Sequence, residues 1–201
     1  MLRRTAIFLV TSFFASAALA ATTVGTPAPS FSAVDAVTGK TFSSESLKGK
    51  TVVLEWNNFE CPFIKKFYSV GAMQALQANA VKDGVVWVSI NSGAAGKEGF
   101  LKDAKEAKTA LTEHKSNASH YLLDHDGKIG QAFGAKTTPH IFIIDKTGTL
   151  VYQGAIDNKP TADTADIAMA TNYVTEALKA LKAGKPVETN TTRPYGCFVK
   201  Y

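Results

Sequence analysis

The sequence predicts an α/β fold, a sandwich around a central mixed β-sheet with helices on both faces. Three observations carry that expectation. Short apolar runs recur with the length of strands, at Thr51–Leu54, Val85–Ile90 and His140–Ile144. Segments with apolar residues three and four apart lie between them, so strands alternate with helices. The turn Lys146-Thr147-Gly148 joins two consecutive strands, which makes the last pair an antiparallel edge hairpin.

Taken in order, Ala21–Ser30 is small and polar, with Pro27 and Pro29, and reads as a leader segment. Phe31–Val37 and Thr41-Phe42 flank the turn Thr38-Gly39 and predict a short hairpin. Ser44–Leu47 is a helical turn or loop, and Gly49 precedes the central strand at Thr51–Leu54. After Cys61, the residues Phe63, Phe67, Val70, Met73, Leu76 and Ala80 form one apolar face, which predicts one helix ending at Asp83-Gly84. VVWVSI at 85–90 is mainly apolar, β-branched and aromatic, as a strand covered on both faces needs. A glycine-rich loop at 92–99 leads to a second amphipathic helix marked by Phe100, Ala104, Ala107 and Leu111, whose lysine-rich face is solvated.

His120–Asp124 is a short strand before the turn Asp126-Gly127, and Lys128–Phe133 is a brief helix closed by Gly134. Thr137-Thr138-Pro139 precedes the strand His140–Ile144, and its hairpin partner runs over Leu150–Ile156. Ile167, Ala170, Val174, Leu178 and Leu181 mark a last long helix that stops at Gly184, with Pro186 behind it. The tail is then polar until Pro194-Tyr195-Gly196-Cys197-Phe198-Val199-Lys200-Tyr201.

Residues 1–20 read as a secretory signal, with Arg3 and Arg4 as the basic region, Ala6–Ala17 as the apolar core and Ala18-Leu19-Ala20 as the cleavage site. The apolar run is short for a membrane-spanning helix; an uncleaved N-terminal anchor is the alternative. Arg3-Arg4 is also a feature of twin-arginine export. The expected products are an exported domain over 21–185, periplasmic or secreted and without a stable membrane anchor, and a tail over 186–201. The formal charge of +5 falls to +3 without Arg3 and Arg4, and the lysines are scattered, so nucleic-acid binding is not indicated. Disulfides persist in such a compartment. Two cysteines, Cys61 and Cys197, are too few for a disulfide scaffold but enough for one redox couple.

The stretch TVVLEWNNFECPFIKKFY at 51–68 organises the chain. A strand enters a short polar loop that ends at Cys61, and Pro62 suits the first helical position because its missing N–H is unbonded there anyway. Cys61 then stands at the N-cap, its sulfur facing free backbone N–H groups and the positive end of the helix dipole. With Lys65 and Lys66 one turn on, that favours a reactive thiolate wherever solvent reaches it. The alternative is a small buried hydrophobe at a strand–helix junction.

Strand, cysteine and helix, followed by Thr-Pro before a hairpin, resemble the thioredoxin fold. The phrases LKGKTVVLEW, Cys61-Pro62-Phe63 and LLDHDGKIGQAFGAKTTPHIFIIDKTGTLVYQGAID resemble the redoxins, in particular the peroxiredoxin-like branch of the alkyl hydroperoxide reductase/thiol-specific antioxidant family. The ending from Tyr195 to Tyr201 resembles the Gly-Cys tail of one subgroup. The likeness spans roughly Pro27 to Tyr201 and implies a three-layer sandwich. Two departures stand out. Thioredoxins carry Cys-x-x-Cys, and here Ile64 holds the second position. Peroxiredoxins carry Pro-x-x-x-Thr-x-x-Cys and a distant arginine; here Leu54 and Asn58 replace the proline and threonine, and Arg193 is the one arginine beyond the signal.

The resemblance implies thiol–disulfide exchange on thiol or disulfide proteins, or on small thiols, with no bound cofactor. Cys61 would be the nucleophile. Glu55 stands where thioredoxins place a buried acid, and it would move protons; a partly exposed strand-end carboxylate is the alternative. Pro139 resembles the cis-proline facing the cysteine, and Thr138 would offer backbone groups to an extended substrate segment. Trp56, Asn58 and Phe59 would line the substrate side, although the two aromatics could equally be core. Cys197 would resolve the mixed disulfide if the tail docks by Cys61, or staple the terminus permanently. Two alternative functions draw on the same residues: a thiol-dependent peroxidase, and a Cu(I) carrier using Cys61, Cys197 and His140.

Overall fold

The computed structural model describes residues 22–201, so the secretory signal expected at 1–20 and its cleavage site lie outside it. Among the described residues nine strands form: β1 (Ser32–Asp35), β2 (Lys40–Ser43), β3 (Val52–Trp56), β4 (Val86–Asn91), β5 (His120–Leu123), β6 (Thr137–Thr138), β7 (His140–Ile144), β8 (Leu150–Gly154) and β9 (Cys197–Phe198). The helices are α1 (Pro62–Tyr68), α2 (Ala72–Lys82), α3 (Ala104–Glu113), α4 (Lys128–Phe133) and α5 (Tyr173–Lys182). Seven strands make one sheet in the order β2-β1-β5-β4-β3-β7-β8. β3, β4 and β5 run parallel, and the remaining pairings are antiparallel. A separate two-stranded sheet joins β6 to β9.

The parallel crossovers explain the layering. β3 to β4 and β4 to β5 step the same way across the sheet, and such connections are right-handed. α1, α2 and α3 therefore share one face, where Ile64, Met73 and Ala107 pack on Val53, Trp87 and Ile141. α5 covers the same face through Val174 and Ala177. The opposite face holds α4, whose Ile129 and Phe133 meet Val52, Leu54, Trp56 and Phe142. All five residues of β3 are buried, as a central strand requires.

Three sequence expectations change in detail. The helix expected after Cys61 is broken into α1 and α2. Gly71 takes a left-handed φ of 77°, which interrupts the helical ladder and turns Val70 outward to 57% exposure. The last helix starts later than its apolar pattern implied: Ile167 lies in a 3-10 turn at Thr164–Met169, Ala170 is extended, and Asn172 caps α5 through the Thr175 N–H. The final hairpin contributes one edge, since β7 pairs with both β3 and β8; β2 of the first hairpin forms the other edge.

The tail returns along the domain. The Gln153 N–H donates to the Asn190 carbonyl, and the Thr192 N–H donates to the Gln153 carbonyl. Gly154 admits this approach: a Cβ there would sit 2.1 Å from Thr192 Oγ1. The Ala155 N–H and the Tyr152 hydroxyl both meet that same Oγ1, at 2.9 and 2.8 Å. From Thr192 the chain crosses toward β6, and this brings the second cysteine to the first.

Candidate active site

Cys61 is the N-cap of α1, with extended backbone and Pro62 behind it. Its carbonyl accepts from the Ile64 and Lys65 N–H groups at 3.0 and 2.9 Å. The sulfur makes no capping bond, contrary to the expected geometry. It turns across the loop instead, donating to the Thr138 carbonyl oxygen at 3.0 Å and meeting Cys197 Sγ at 2.7 Å. The residue is 0% exposed. The Thr138–Pro139 peptide bond is cis, as the resemblance implied.

Cys197 arrives on a strand rather than on a loose tail. β9 pairs antiparallel with β6, with Thr138 opposite Cys197 and Thr137 opposite Phe198. Gly196 makes the approach close, since a Cβ there would lie 2.1 Å from the Thr138 carbonyl oxygen and its φ is 136°. Beyond Cys197, the Val199 N–H donates to the Lys136 carbonyl at 3.0 Å and the Tyr201 hydroxyl donates to the Ala135 carbonyl at 2.9 Å. Both cysteines are free thiols. Burial pushes the Cys197 thiol up to about 12, and its contact with Cys61 adds to the effect. The arrangement is a preformed dithiol beside a backbone edge that the chain's own tail fills.

A family model for Redoxin matches residues 23–170. The chain belongs to the Redoxin family. Among solved structures, this redoxin is similar to an uncharacterised protein from Geobacillus kaustophilus, with 26% identity, 89% of this chain and 92% of that chain covered, and a TM-score of 0.74. A hypothetical protein from Sinorhizobium meliloti 1021 has 25% identity over 90% of this chain and 96% of that one, with a TM-score of 0.73. The thioredoxin domain of a thiol-disulfide oxidoreductase from Bacteroides vulgatus shares the fold, at 20% identity, 74% and 98% coverage, and a TM-score of 0.52. No curated protein matches.

The redoxin's remaining candidate residues divide between site and core. Glu55 is fully buried on the sheet face that carries α1. One carboxylate oxygen accepts from Asn57 Nδ2 at 3.0 Å and the Tyr68 hydroxyl at 3.3 Å; the other accepts from Gln77 Nε2, Trp87 Nε1 and Ser89 Oγ at 3.0, 2.8 and 2.9 Å. Its nearest chemistry is therefore this cage of five donors. None of its hydrogen bonds goes to a cysteine. Burial first, and the Glu55 charge second, hold the Tyr68 hydroxyl well above the usual tyrosine range.

Trp56 and Phe59 are core. Trp56 lies on the opposite sheet face against Phe133 and Phe142, its indole N–H on Ser92 Oγ at 3.0 Å. Strand alternation puts it there, because Glu55 already faces α1. Phe59 stacks on His114 with ring centroids 4.2 Å apart. Asn58 braces the loop, donating to the Glu98 carbonyl at 3.2 Å and accepting from the Glu60 N–H at 2.9 Å.

The two lysines do not serve Cys61 as free cations. Lys65 pairs with Glu60 at 2.9 Å. Lys66 is buried and turns to Asp157 and the Lys159 carbonyl, at 3.7 and 2.9 Å. His140 sits on the Trp56 face, tilted against the Phe142 ring, and its Nδ1 accepts from the Lys136 N–H at 3.2 Å. Burial, with Lys136 as the second cause, lowers it to about 3. Among the described residues no group of three His, Cys, Asp or Glu is placed to hold a metal, so the Cu(I) reading finds no third ligand.

Sequence reasoning missed Tyr195, whose hydroxyl donates to Asp157 Oδ1. The available signal was Lys66, a charged residue in the apolar register between Phe63 and Phe67.

Proposed function

We propose that this redoxin is an exported thiol–disulfide oxidoreductase in which Cys61 attacks and Cys197 resolves. The observation that carries the reading is the approach of the two sulfurs to 2.7 Å beside the Thr138 carbonyl, within a strand pairing that brings them inside the reach of a disulfide. Export rests on the sequence of residues 1–20.

The Cys61 thiolate attacks one sulfur of a partner disulfide, forming a mixed disulfide and releasing one partner thiolate. Cys197, deprotonated, attacks Cys61 Sγ; the Cys61–Cys197 bond forms, the mixed disulfide breaks, and the second partner thiolate leaves. The two thiol protons end on the two released partner thiolates. Two electrons pass from the redoxin to the partner, and the reverse sequence oxidises a partner dithiol. The Cys197 proton departs during resolution, because the half-buried thiol holds it strongly at rest.

Thr138 and Pro139 frame the reacting sulfur. An extended partner segment would pair with the edge that β9 now occupies. Asn58 would hold the Cys61 loop, and Glu55 would hold α1 and the sheet in register through its five donors. For the peroxidase alternative, the two donors named from the sequence are already engaged: Asn58 donates to the Glu98 carbonyl, and Lys65 is paired with Glu60.

The discriminating experiment compares reduction of a protein disulfide with consumption of hydrogen peroxide, each with a thiol donor. The proposal expects disulfide reduction that needs both cysteines, and slow peroxide reaction like that of a simple thiolate. Fast, saturating peroxide turnover that needs Cys61 alone would overturn it.

A further inference from the structure

Tyr195 lies two residues before Cys197 and enters a buried charged cluster. Its hydroxyl donates to Asp157 Oδ1, which also accepts from the Lys159 N–H at 2.9 Å. Asp157 Oδ2 faces Lys66 Nζ at 3.7 Å and has no hydrogen-bond partner. The Lys66 ammonium stands 5.0 Å from the Phe67 ring and 5.7 Å from the Tyr195 ring. Phe63 meets Tyr195 edge-on, with centroids 5.8 Å apart. α1 thus carries Cys61 at its start and, one turn on, the residues that grip the tail.

We propose that Tyr195 is a positioning residue, a reversible latch that holds Cys197 against Cys61 by way of Asp157 and Lys66. The inference rests on the thiol-exchange reading above. Two physical arguments make the contact a latch rather than a rivet. A hydroxyl donating to a buried carboxylate is a charge-assisted bond, stronger than a neutral one. The charges it covers are themselves costly to bury, and the loose 3.7 Å pairing recovers little of that cost. When the tail lifts, Asp157 and Lys66 regain water, which offsets part of the lost Tyr195 contact. Cys61 is then uncovered for a partner, while the downstream Tyr201–Ala135 contact keeps the tail tethered nearby.

The test uses the full chain with both thiols reduced, and Tyr195→Phe as the variant. Two readouts are taken well below the unfolding temperature: the rate of Cys61 alkylation by iodoacetamide, resolved by mass, and the equilibrium of the cysteine pair with glutathione. Loss of one charge-assisted bond should raise the alkylation rate about tenfold or more and lower the effective concentration of Cys197 toward Cys61 by a similar factor. Asp157→Asn should act in the same direction, because its bond to Tyr195 is no longer charge-assisted, and Tyr195→Phe should raise alkylation less when combined with it than alone. If Asp157→Asn does not fold, Tyr195→Phe still decides. Unchanged alkylation and an unchanged glutathione equilibrium in Tyr195→Phe overturn the latch. If the glutathione equilibrium shows a normal Cys61–Cys197 disulfide while alkylation is unmoved, the latch fails and the exchange reading stands. If no intramolecular disulfide forms in any variant, the exchange reading fails, and the alkylation rates alone judge the latch.

Discussion

Cys61 and Cys197 stand 136 residues apart in sequence, yet their sulfurs touch at 2.7 Å. No Cys-x-x-Cys turn brings them together. A two-residue strand does so, laid on the edge beside Pro139.

Gly196→Ala should undock the tail. The new Cβ would meet the Thr138 carbonyl oxygen at 2.1 Å, on backbone whose φ of 136° already disfavours a side chain. The expected outcome is faster thiol labelling of Cys61 with the domain still folded. Circular dichroism and mass-resolved alkylation check it; labelling at the wild-type rate would show that the strand tolerates the clash.

Cys197 should be a slow thiol at neutral pH. Burial and the Cys61 contact raise it to about 12, so its thiolate fraction grows about tenfold per pH unit well past the range of an ordinary cysteine. A pH series of alkylation on Cys61→Ser should show the rate still climbing at pH 10. That variant keeps the burial and loses the neighbouring thiol, so a plateau near pH 9 would assign the shift to Cys61 rather than to burial.

Glu55→Gln should destabilise the fold by about 2–4 kcal/mol in urea unfolding. One oxygen faces two donors and the other faces three, so either orientation of the amide sets its NH₂ against at least two N–H or O–H groups. The cost is an orphaned donor cage. Cys61 labelling should change much less than it does in Gly196→Ala, because Glu55 has no hydrogen bond to either sulfur.

Acid should weaken the fold partly through His140. Its folded value, about 3, lies below the ordinary value of 6.5 because the ring is buried. A depressed base binds fewer protons folded than unfolded, so its contribution is whole above pH 6.5 and is lost as pH falls toward 3. The limiting slope is about 1.4 kcal/mol per pH unit within that window. Asp124, raised mainly by burial, contributes with the opposite sign. Comparison with His140→Asn isolates the histidine, since asparagine can still accept from the Lys136 N–H; the variant's stability should depend less steeply on pH between 6 and 4.

The fold was legible because its signals are local. Strand runs, the Cys61-Pro62 start of α1 and the Gly134 stop of α4 can all be read residue by residue. The break at Gly71 was not, since Val70 and Met73 keep helical spacing across it and the left-handed turn leaves no mark in apolar periodicity. Cys61, Cys197, Thr138 and Pro139 were named from the sequence and converge in space. The sequence leaves Trp56 and Phe59 open between the substrate side and the core, because a large aromatic beside a cysteine says nothing of which sheet face or ring stack will take it. Tyr195 was hidden for a different reason: its partner Asp157 lies far off in the chain, and only the returning tail joins them.

The most direct test of the central claim is thiol accounting on the trapped protein. Wild-type protein, oxidised with a disulfide donor and mass-tagged under denaturing conditions, should show no free thiol and one Cys61–Cys197 link. Cys197→Ser, treated with the same donor, should accumulate a stable mixed disulfide at Cys61, and Cys61→Ser should form none at Cys197. Two free thiols in the oxidised wild type, or mixed disulfides that turn over equally fast without Cys197, would contradict the account and leave Cys61 to work with an external resolving thiol.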